Sequence, residues 1–354
     1  MIEKILRLME IILKILFSKR NMSTHRCTAE DDDDAYAGTG LVGVNYGLVG
    51  DNLPEPSAVV ELCKSNNIQR IRLFEPNIPV LEALRQSGIA IAVGVKNEDL
   101  QNLAVDQAAA TTWIANHVTP YINDINFDYV VVGNEVSLAD EGINVAPAMR
   151  HLYNALQDAG KSAVKVTTSI ALDSLSISYP PSAGAFSTSV VAPMEIIASF
   201  LISTSSPLML NAYPYFAYAS DSQHISLDYA LFRPSAPVVQ DGNLSYHNIF
   251  DAMVDALYSA LEKVGGSALS IVVSESGWPS AGNGNFTTVA LAQEYNTNLI
   301  SHVAAGQGTP KKPGFATRTY LFALFNEDQK SPGVEENFGL FYSNMKPVYP
   351  ITFP

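Results

Sequence analysis

Tyr129-Val130-Val131-Val132-Gly133-Asn134-Glu135 is an apolar run that leads directly into a glycine, an amide and a carboxylate. Hydrophobicity that continues from residue to residue, instead of alternating, indicates a strand covered on both faces, as in a parallel sheet. The same arrangement returns at Ile271-Val272-Val273-Ser274-Glu275, where a second apolar run ends in a second glutamate. Two strands therefore present a carboxylate at their ends.

Eight mostly apolar runs of this kind are expected to form strands: Leu41–Asn45, Arg70–Phe74, Ala90–Val95, Tyr129–Val132, Val164–Ser169, Leu208–Ala212, Ser270–Ser274 and Thr319–Phe325. Helical patterns separate them, with Ser57 as the expected N-cap of the first helix and Gly88 as the stop of the second. Further helices are expected at Ala108–Val118, Ala146–Ala159, Ile249–Val264 and Thr288–Ala304. Eight strand-helix repeats predict an α/β fold, a (β/α)8 TIM barrel, as a single domain of residues 41–354.

An open doubly wound sheet would also alternate strands and helices, with its ligand at a topological switch point. The polar residues that follow the strands favour the barrel, because a barrel collects catalytic residues from many strand ends at one mouth. Gly38-Thr39-Gly40-Leu41-Val42-Gly43 matches a dinucleotide-binding pattern, but it precedes a strand instead of following one, so no nucleotide cofactor is expected.

Composition narrows the class of partner. The chain has 354 residues, a net charge of −14 and, beyond residue 20, a single basic pair at Lys311 and Lys312, so nucleic acid is not an expected partner. A neutral polysaccharide is indifferent to that charge, because sugars are held by hydrogen bonds and by stacking on aromatic rings. The six histidines show no zinc-ligand spacing, and no metal is expected.

Residues 1–40 differ from the rest and are predicted to be a targeting and linker segment outside the fold. Charges interrupt the apolar residues 2–17, so no membrane span is expected, although Ile11–Phe17 has the character of a weak signal-peptide core. The acidic run Glu30–Asp34 is interpreted as a solvated linker, with calcium binding as the alternative. Acceptor patterns for N-glycosylation at Asn243 and Asn285 add slight support for secretion to an extracellular location.

Paired carboxylates at one barrel mouth are the groups that glycoside cleavage requires. One protonated carboxyl donates to the departing glycosidic oxygen, and a second, ionised one stabilises or attacks the anomeric carbon. Taken alone, a glutamate after a strand is equally well explained as a helix cap or a surface residue. The repetition at Glu135 and Glu275 favours catalysis.

Five motifs, taken together and in order, resemble those of the plant endo-β-1,3-glucanases of glycoside hydrolase family seventeen. They are Gly43-Val44-Asn45-Tyr46-Gly47, Val132-Gly133-Asn134-Glu135-Val136, Asn211-Ala212-Tyr213-Pro214-Tyr215-Phe216, Ser274-Glu275-Ser276-Gly277-Trp278-Pro279-Ser280 and Phe322-Ala323-Leu324-Phe325-Asn326-Glu327. The resemblance implies a retaining hydrolase without metal or cofactor that cleaves β-1,3-glucan internally, such as callose, laminarin or fungal wall glucan. It further implies a secreted plant defence protein, which we expect to be a monomer.

The resemblance also implies roles for individual residues. Glu135 is expected to be the acid/base, Glu275 the nucleophile, Asn134 a ligand of the sugar 2-hydroxyl and Tyr213 a neighbour of the nucleophile. The remaining expected substrate-binding residues are Tyr46, Glu327, Lys330 and Phe338. A structural salt bridge is the alternative for Glu327 with Lys330, and core packing is the alternative for each aromatic residue, with Trp278 expected behind the nucleophile.

Two departures from the family pattern are expected to leave the catalytic pair untouched and to alter subsites. They are Asn45, where relatives often have cysteine, and Phe74-Glu75-Pro76, where they have Tyr-Asp-Pro. Cleavage of mixed β-1,3/1,4-glucan and transfer of the glycosyl unit to another sugar stay open as alternatives. A non-catalytic glucan-binding protein is disfavoured by the presence of both glutamates.

Overall fold

Eight parallel strands close into a barrel in the computed structural model of the protein, which describes residues 40–354. The barrel strands are β1 (Val42–Asn45), β2 (Arg70–Leu73), β3 (Ala90–Val95), β4 (Asn126–Asn134), β5 (Lys165–Ala171), β8 (Leu208–Asn211), β11 (Ile271–Ser276) and β12 (Thr319–Leu321). Two antiparallel hairpins lie outside it: β6 (Leu175–Ile177) with β7 (Ala185–Phe186), and β9 (Val239–Asp241) with β10 (Leu244–Tyr246).

The order around the barrel is β1-β12-β11-β8-β5-β4-β3-β2, and β1 pairs with β12 to close it. The predicted TIM barrel is confirmed, and each of the eight expected strands overlaps one barrel strand. The expected segment of residues 1–40 lies outside the described residues, apart from Gly40. Its targeting and linker role therefore stays a prediction.

Helices lie between the strands. They are α1 (Pro56–Ser65), α2 (Ile78–Leu84), α3 (Leu100–Val105), α4 (Gln107–His117), α5 (Gly142–Asp158), α6 (Thr188–Ser203), α7 (Pro214–Ser220), α8 (Leu227–Ala230), α9 (Ile249–Lys263) and α10 (Val289–Ala304). Within the described chain none of them is both long and apolar enough to cross a membrane.

Three expected helix boundaries were wrong, one of them the start of α5, which is Gly142 instead of Ala146. The N-cap of α1 is Glu55 instead of Ser57, because Pro56 takes the first helical position, where its fixed φ and missing N–H cost nothing. Helix α2 ends at Leu84, four residues before Gly88. Gly88 instead has φ 76° in the connection to β3, a left-handed conformation that favours glycine.

Side chains fill the barrel interior beneath its mouth. Ala92, Tyr129, Val131, Met209, Val272 and Tyr320 form one buried cluster inside the strand cylinder. The barrel is therefore a packed core and not a pore. Because the interior is filled, chemistry is confined to the carboxyl ends of the strands, where the connecting segments leave a cleft.

Candidate active site

A cleft of about 950 Å³ lies at the carboxyl ends of the barrel strands. Its walls include every site residue expected from the sequence: Tyr46, Asn134, Glu135, Tyr213, Glu275, Glu327, Lys330 and Phe338. These residues are contributed by segments from Tyr46 to Phe338, so closure of the barrel assembles the site from distant parts of the chain. Such a concave site with convergent polar groups is the ordinary form of a ligand pocket.

Glu135 reaches the cleft through a sharp turn at the end of β4. Gly133 has φ 82° and Glu135 has φ 52°, both in the left-handed region, which is uncommon for a residue with a side chain. The Glu135 N–H donates to the Ser169 carbonyl of β5 at 2.9 Å. Asn97 holds the preceding peptide by accepting from the Asn134 N–H at 2.9 Å and donating to its carbonyl at 2.9 Å. The backbone strain is therefore held by neighbours on both sides, as is common at functional sites.

Glu275 lies near the end of β11, where the strand is irregular. The register with β8 shifts between Val273 and Glu275. Its carboxylate accepts two hydrogen bonds, from Tyr213 Oη to Oε2 at 2.7 Å and from Arg72 Nη1 to Oε1 at 2.7 Å. The Arg72 side chain is only 1% exposed and that of Glu275 7%, so this ion pair is buried. Charge-assisted hydrogen bonds of this kind are short and fix the orientation of the carboxylate.

Asn211 holds the Glu135 carboxyl from the neighbouring strand β8. Its Oδ1 accepts from Ser169 Oγ at 2.9 Å and from Ser274 Oγ at 2.7 Å. Those bonds leave the amide nitrogen facing the cleft, where Nδ2 donates to Glu135 Oε1 at 2.8 Å. The orientation of the amide is thus fixed by two serines from neighbouring strands, and the Glu135 carboxyl is held on its own side of the cleft.

Glu135 and Glu275 have different electrostatic surroundings. Glu135 is exposed in the cleft, yet the surrounding protein removes water from it, and this desolvation raises its pKa. The charge of Glu275 raises the pKa further, while the Asn211 bond opposes the change. Desolvation and the charge of Glu275 also raise the pKa of Tyr213 well above its ordinary value, so Tyr213 stays a proton donor. Two carboxyls with different environments are typical of an acid and a nucleophile.

Residues 42–353 match the sequence profile described as Glycosyl hydrolases family 17. The chain belongs to this family. It is therefore a glycoside hydrolase, and the resemblance noted in the sequence is confirmed. No group of three His, Cys, Asp or Glu side chains within residues 40–354 is arranged to hold a metal ion.

Individual relatives agree with the family assignment. A probable glucan endo-1,3-beta-glucosidase of Arabidopsis thaliana is 49% identical over 310 residues, which are 87% of this chain and 90% of the relative. Lichenase-2 of Hordeum vulgare is 47% identical over 312 residues, 88% of this chain and 98% of the relative. A solved plant beta-glucan endohydrolase is 48% identical, with a TM-score of 0.85 over 88% of this chain and 100% of that one.

Glu327 is held firmly in this family 17 cleft. Its Oε1 accepts from the Val49 N–H at 2.7 Å, and burial raises the pKa of its carboxyl, although the Val49 bond and the Lys330 charge oppose this. A side chain at position 47 would displace the Glu327 carboxylate from this place, so Gly47 leaves room for it. In the described chain the Lys330 ammonium lies 5.3 Å from the Phe322 ring centroid and acts on Glu327 through its charge, without a direct ion pair.

The aromatic residues divide into a cleft wall and a core behind it. Tyr46 and Phe338 line the cleft, but each is only 2% exposed, so they offer little surface to a ligand. Phe216 is 43% exposed in the same wall and presents the most accessible aromatic surface. Trp278 lies behind the site, as expected, fully buried at 5.2 Å from Tyr215 between ring centroids.

Replacing one residue from each aromatic group should separate stability from binding. We expect Trp278→Ala to lower the free energy of unfolding by about 3 to 5 kcal/mol, because it leaves a large cavity and removes a buried aromatic ring. Phe216→Ala should change stability by less than about 0.5 kcal/mol, because its side chain is half in water, while raising KM for a glucan. Urea unfolding and steady-state kinetics on both variants would check this, and equal loss of stability in the two would contradict it.

Three residues that contact the site were not singled out from the sequence. Arg72 and Asn211 touch Glu275 and Glu135, and Asp173 lies in the cleft wall. A signal existed for Arg72, because it lies between the apolar Ile71 and Leu73 within β2, and a charge inside a buried strand needs a partner. Of the two departures from the family pattern, Phe74 and Glu75 do line the cleft. Asn45 does not, and the expectation that it alters a subsite stays a prediction.

Proposed function

We propose that this family 17 enzyme hydrolyses internal β-1,3-glucosidic bonds with retention, using Glu135 as acid/base and Glu275 as nucleophile. The observation that carries the proposal is that the two carboxylates end β4 and β11 in one cleft and differ in environment. Glu135 has a raised pKa, which suits a proton donor. Glu275 is held by a guanidinium and a phenol, which suits an anion that must attack along a fixed direction.

The reaction proceeds in two displacements. In the first, Glu275 Oε attacks the anomeric carbon while Glu135 transfers its proton to the glycosidic oxygen. The part of the glucan that carries this oxygen leaves with a free hydroxyl, and a glycosyl ester forms between the remaining sugar and the enzyme. In the second, the ionised Glu135 takes a proton from water, the hydroxyl attacks the anomeric carbon, and the Glu275 carboxylate is released. Two inversions give net retention.

Asn134 is positioned to bind the sugar in the transition state. Its Oδ1 already accepts from Arg72 Nη2 at 2.8 Å and from Asn211 Nδ2 at 3.2 Å. Its amide nitrogen is therefore directed away from these two donors and is available to a ligand in the cleft. We propose that it donates to the hydroxyl on the carbon next to the reacting one, a contact that strengthens as charge develops there.

The substrate class is proposed from the relatives, whose names include both glucan endo-1,3-beta-glucosidases and a lichenase. We expect the purified enzyme to release short oligosaccharides from laminarin at an early stage, before glucose accumulates, and to act more slowly on barley mixed-linkage glucan. Product chromatography on both polymers checks the linkage and the internal cleavage. Activity confined to the mixed-linkage polymer would overturn the β-1,3 assignment, and glucose as the first product would overturn the internal cleavage.

We further propose an extracellular monomer that acts on callose or on fungal wall glucan. Asn243, beside the β9–β10 turn, and Asn285 are both exposed, as glycan attachment requires. A loss of mass on treatment of the plant-expressed protein with a peptide N-glycosidase would support export.

A further inference from the structure

Asn45 is the last residue of β1 and is completely buried, at 0% exposure. It lies beneath the floor of the cleft and takes no part in its walls. A buried primary amide is costly unless its donors and acceptor are satisfied. The partners of Asn45 are therefore informative about its role.

The amide nitrogen of Asn45 is bonded to the strand that carries the proposed nucleophile. Nδ2 donates to the Ser274 carbonyl at 3.0 Å and to the Leu321 carbonyl of β12 at 3.1 Å. Ser274 directly precedes Glu275, at the point where β11 shifts register against β8 and β12. Asn45 thus holds the irregular peptide from which the Glu275 side chain departs, across the intervening strand β12.

The amide oxygen of Asn45 is bonded to the cation that contacts the nucleophile. Oδ1 accepts from Arg72 Nη1 at 3.0 Å, and the same nitrogen donates to Glu275 Oε1 at 2.7 Å. The buried Arg72 Nε has no partner in the described residues, so the guanidinium is oriented through its two terminal nitrogens and by the Phe74 ring, 4.5 Å away. Without Asn45, Nη1 would retain Glu275 as its single acceptor, and the guanidinium would be held by fewer contacts.

We infer that Asn45 is a positioning residue for Glu275, acting on the backbone before the nucleophile and on Arg72 above it. The inference rests on the proposed function, because it assumes that Glu275 attacks the sugar. A misplacement of a reacting group by about 1 Å can cost on the order of 10²-fold in rate. Because Asn45 does not reach the cleft walls, its loss should lower kcat for the first displacement and leave substrate binding nearly unchanged.

The test compares Asn45→Leu with Asn45→Asp and with a matched buried control. Leucine has a similar size but neither donor nor acceptor, whereas aspartate keeps an acceptor for Arg72 and loses the donor to Ser274 and Leu321. The control is Asn296→Leu on α10, which removes an equally buried amide that donates to Tyr349 Oη at 2.7 Å. Stopped-flow release of dinitrophenol from a dinitrophenyl β-laminarioligosaccharide measures the first displacement, and steady-state assays on laminarin give KM.

We expect Asn45→Leu to slow dinitrophenol release by about 10- to 100-fold, with KM within about threefold of the parent. The rate of dinitrophenol release in Asn45→Asp should lie between those of the parent and Asn45→Leu. Asn296→Leu should keep the parent rate at a temperature where all variants are folded. A parent-like rate in Asn45→Leu, or an equal slowing in Asn296→Leu, overturns the inference. If Asn45→Leu does not fold, Asn45→Ser, which keeps one donor, is judged by the same rate.

Failure of this inference is distinguishable from failure of the proposed function. If Glu275→Gln is inactive while Asn45→Leu releases dinitrophenol at the parent rate, only the role of Asn45 is refuted. If Glu275→Gln itself retains the parent activity, then the nucleophile is another residue, and the reaction proposed above is refuted.

Discussion

Glu275→Gln should lower kcat/KM on laminarin by about 10⁴-fold or more, because an amide cannot form the glycosyl ester on which the proposed first displacement depends. Glutamine has nearly the same size and shape as glutamate, so laminarin binding, measured by affinity electrophoresis, should persist. Arg72 would lose its buried anionic partner, and some loss of stability is therefore expected as well. Thermal unfolding below the assay temperature would make the kinetic result uninterpretable, so the unfolding curve is measured alongside.

The configuration of the product made by a variant that lacks the Glu275 carboxylate tests the nucleophile directly. Glu275→Gly opens space beneath the anomeric carbon, and azide added to a dinitrophenyl β-laminarioligosaccharide should attack there and yield the α-glycosyl azide. Glu327→Gln is the comparison, because it removes another buried carboxylate from the same cleft. We expect Glu327→Gln to release a product of β configuration and to lose activity by no more than about 100-fold, since Glu327 makes no bond to the anomeric carbon in the proposed reaction. Parent activity in Glu275→Gln, or a β-azide from Glu275→Gly, would point to a different nucleophile.

The barrel and the position of its two glutamates were predictable from local sequence. The clearest barrel strands, such as β3 and β4, contain continuous apolar runs, a pattern that needs no knowledge of distant residues to be recognised. Glu135 and Glu275 each stand where such a run ends, and parallel strands in one barrel bring their carboxyl ends to one mouth. Helix α6, by contrast, was not expected, because Thr188–Ser203 is apolar on most of its surface and lacks an amphipathic period.

The contacts around the glutamates were not predictable, because barrel closure creates them. Arg72, Asn45 and Glu275 are separated by many residues, yet they meet where β1 and β2 lie near β11. Adjacent residues also take opposite environments for reasons that composition does not reveal. Tyr215 and Phe216 share helix α7, but the first faces the core and the second faces the cleft. Exposure of an aromatic side chain is a property of the helix orientation and not of its motif.

Glu135→Gln should affect substrates according to how much proton donation their leaving groups need. On laminarin, whose leaving group is a glucose hydroxyl, we expect kcat/KM to fall by about 10²- to 10⁴-fold, the contribution of a general acid. With a dinitrophenyl leaving group the first displacement should proceed and give a burst of dinitrophenol. Turnover after the burst should be slow, because no general base remains to deprotonate the water of the second displacement. Azide needs no base, and it should restore turnover and yield the β-glycosyl azide, opposite in configuration to the product of Glu275→Gly.

The pH dependence of the parent enzyme tests the proton-donor role of Glu135 independently. Glu135 acts in its protonated form, so kcat/KM on laminarin should fall as the pH rises through its pKa. Because desolvation and the Glu275 charge raise that pKa, the active protonated form persists to higher pH than it would for a glutamate in water. In Glu135→Gln, assayed through its residual activity on laminarin, this alkaline fall should vanish, since an amide does not titrate. An alkaline limb that survives the substitution would assign the proton to another group, and Glu135 would then be a binding residue instead of the acid.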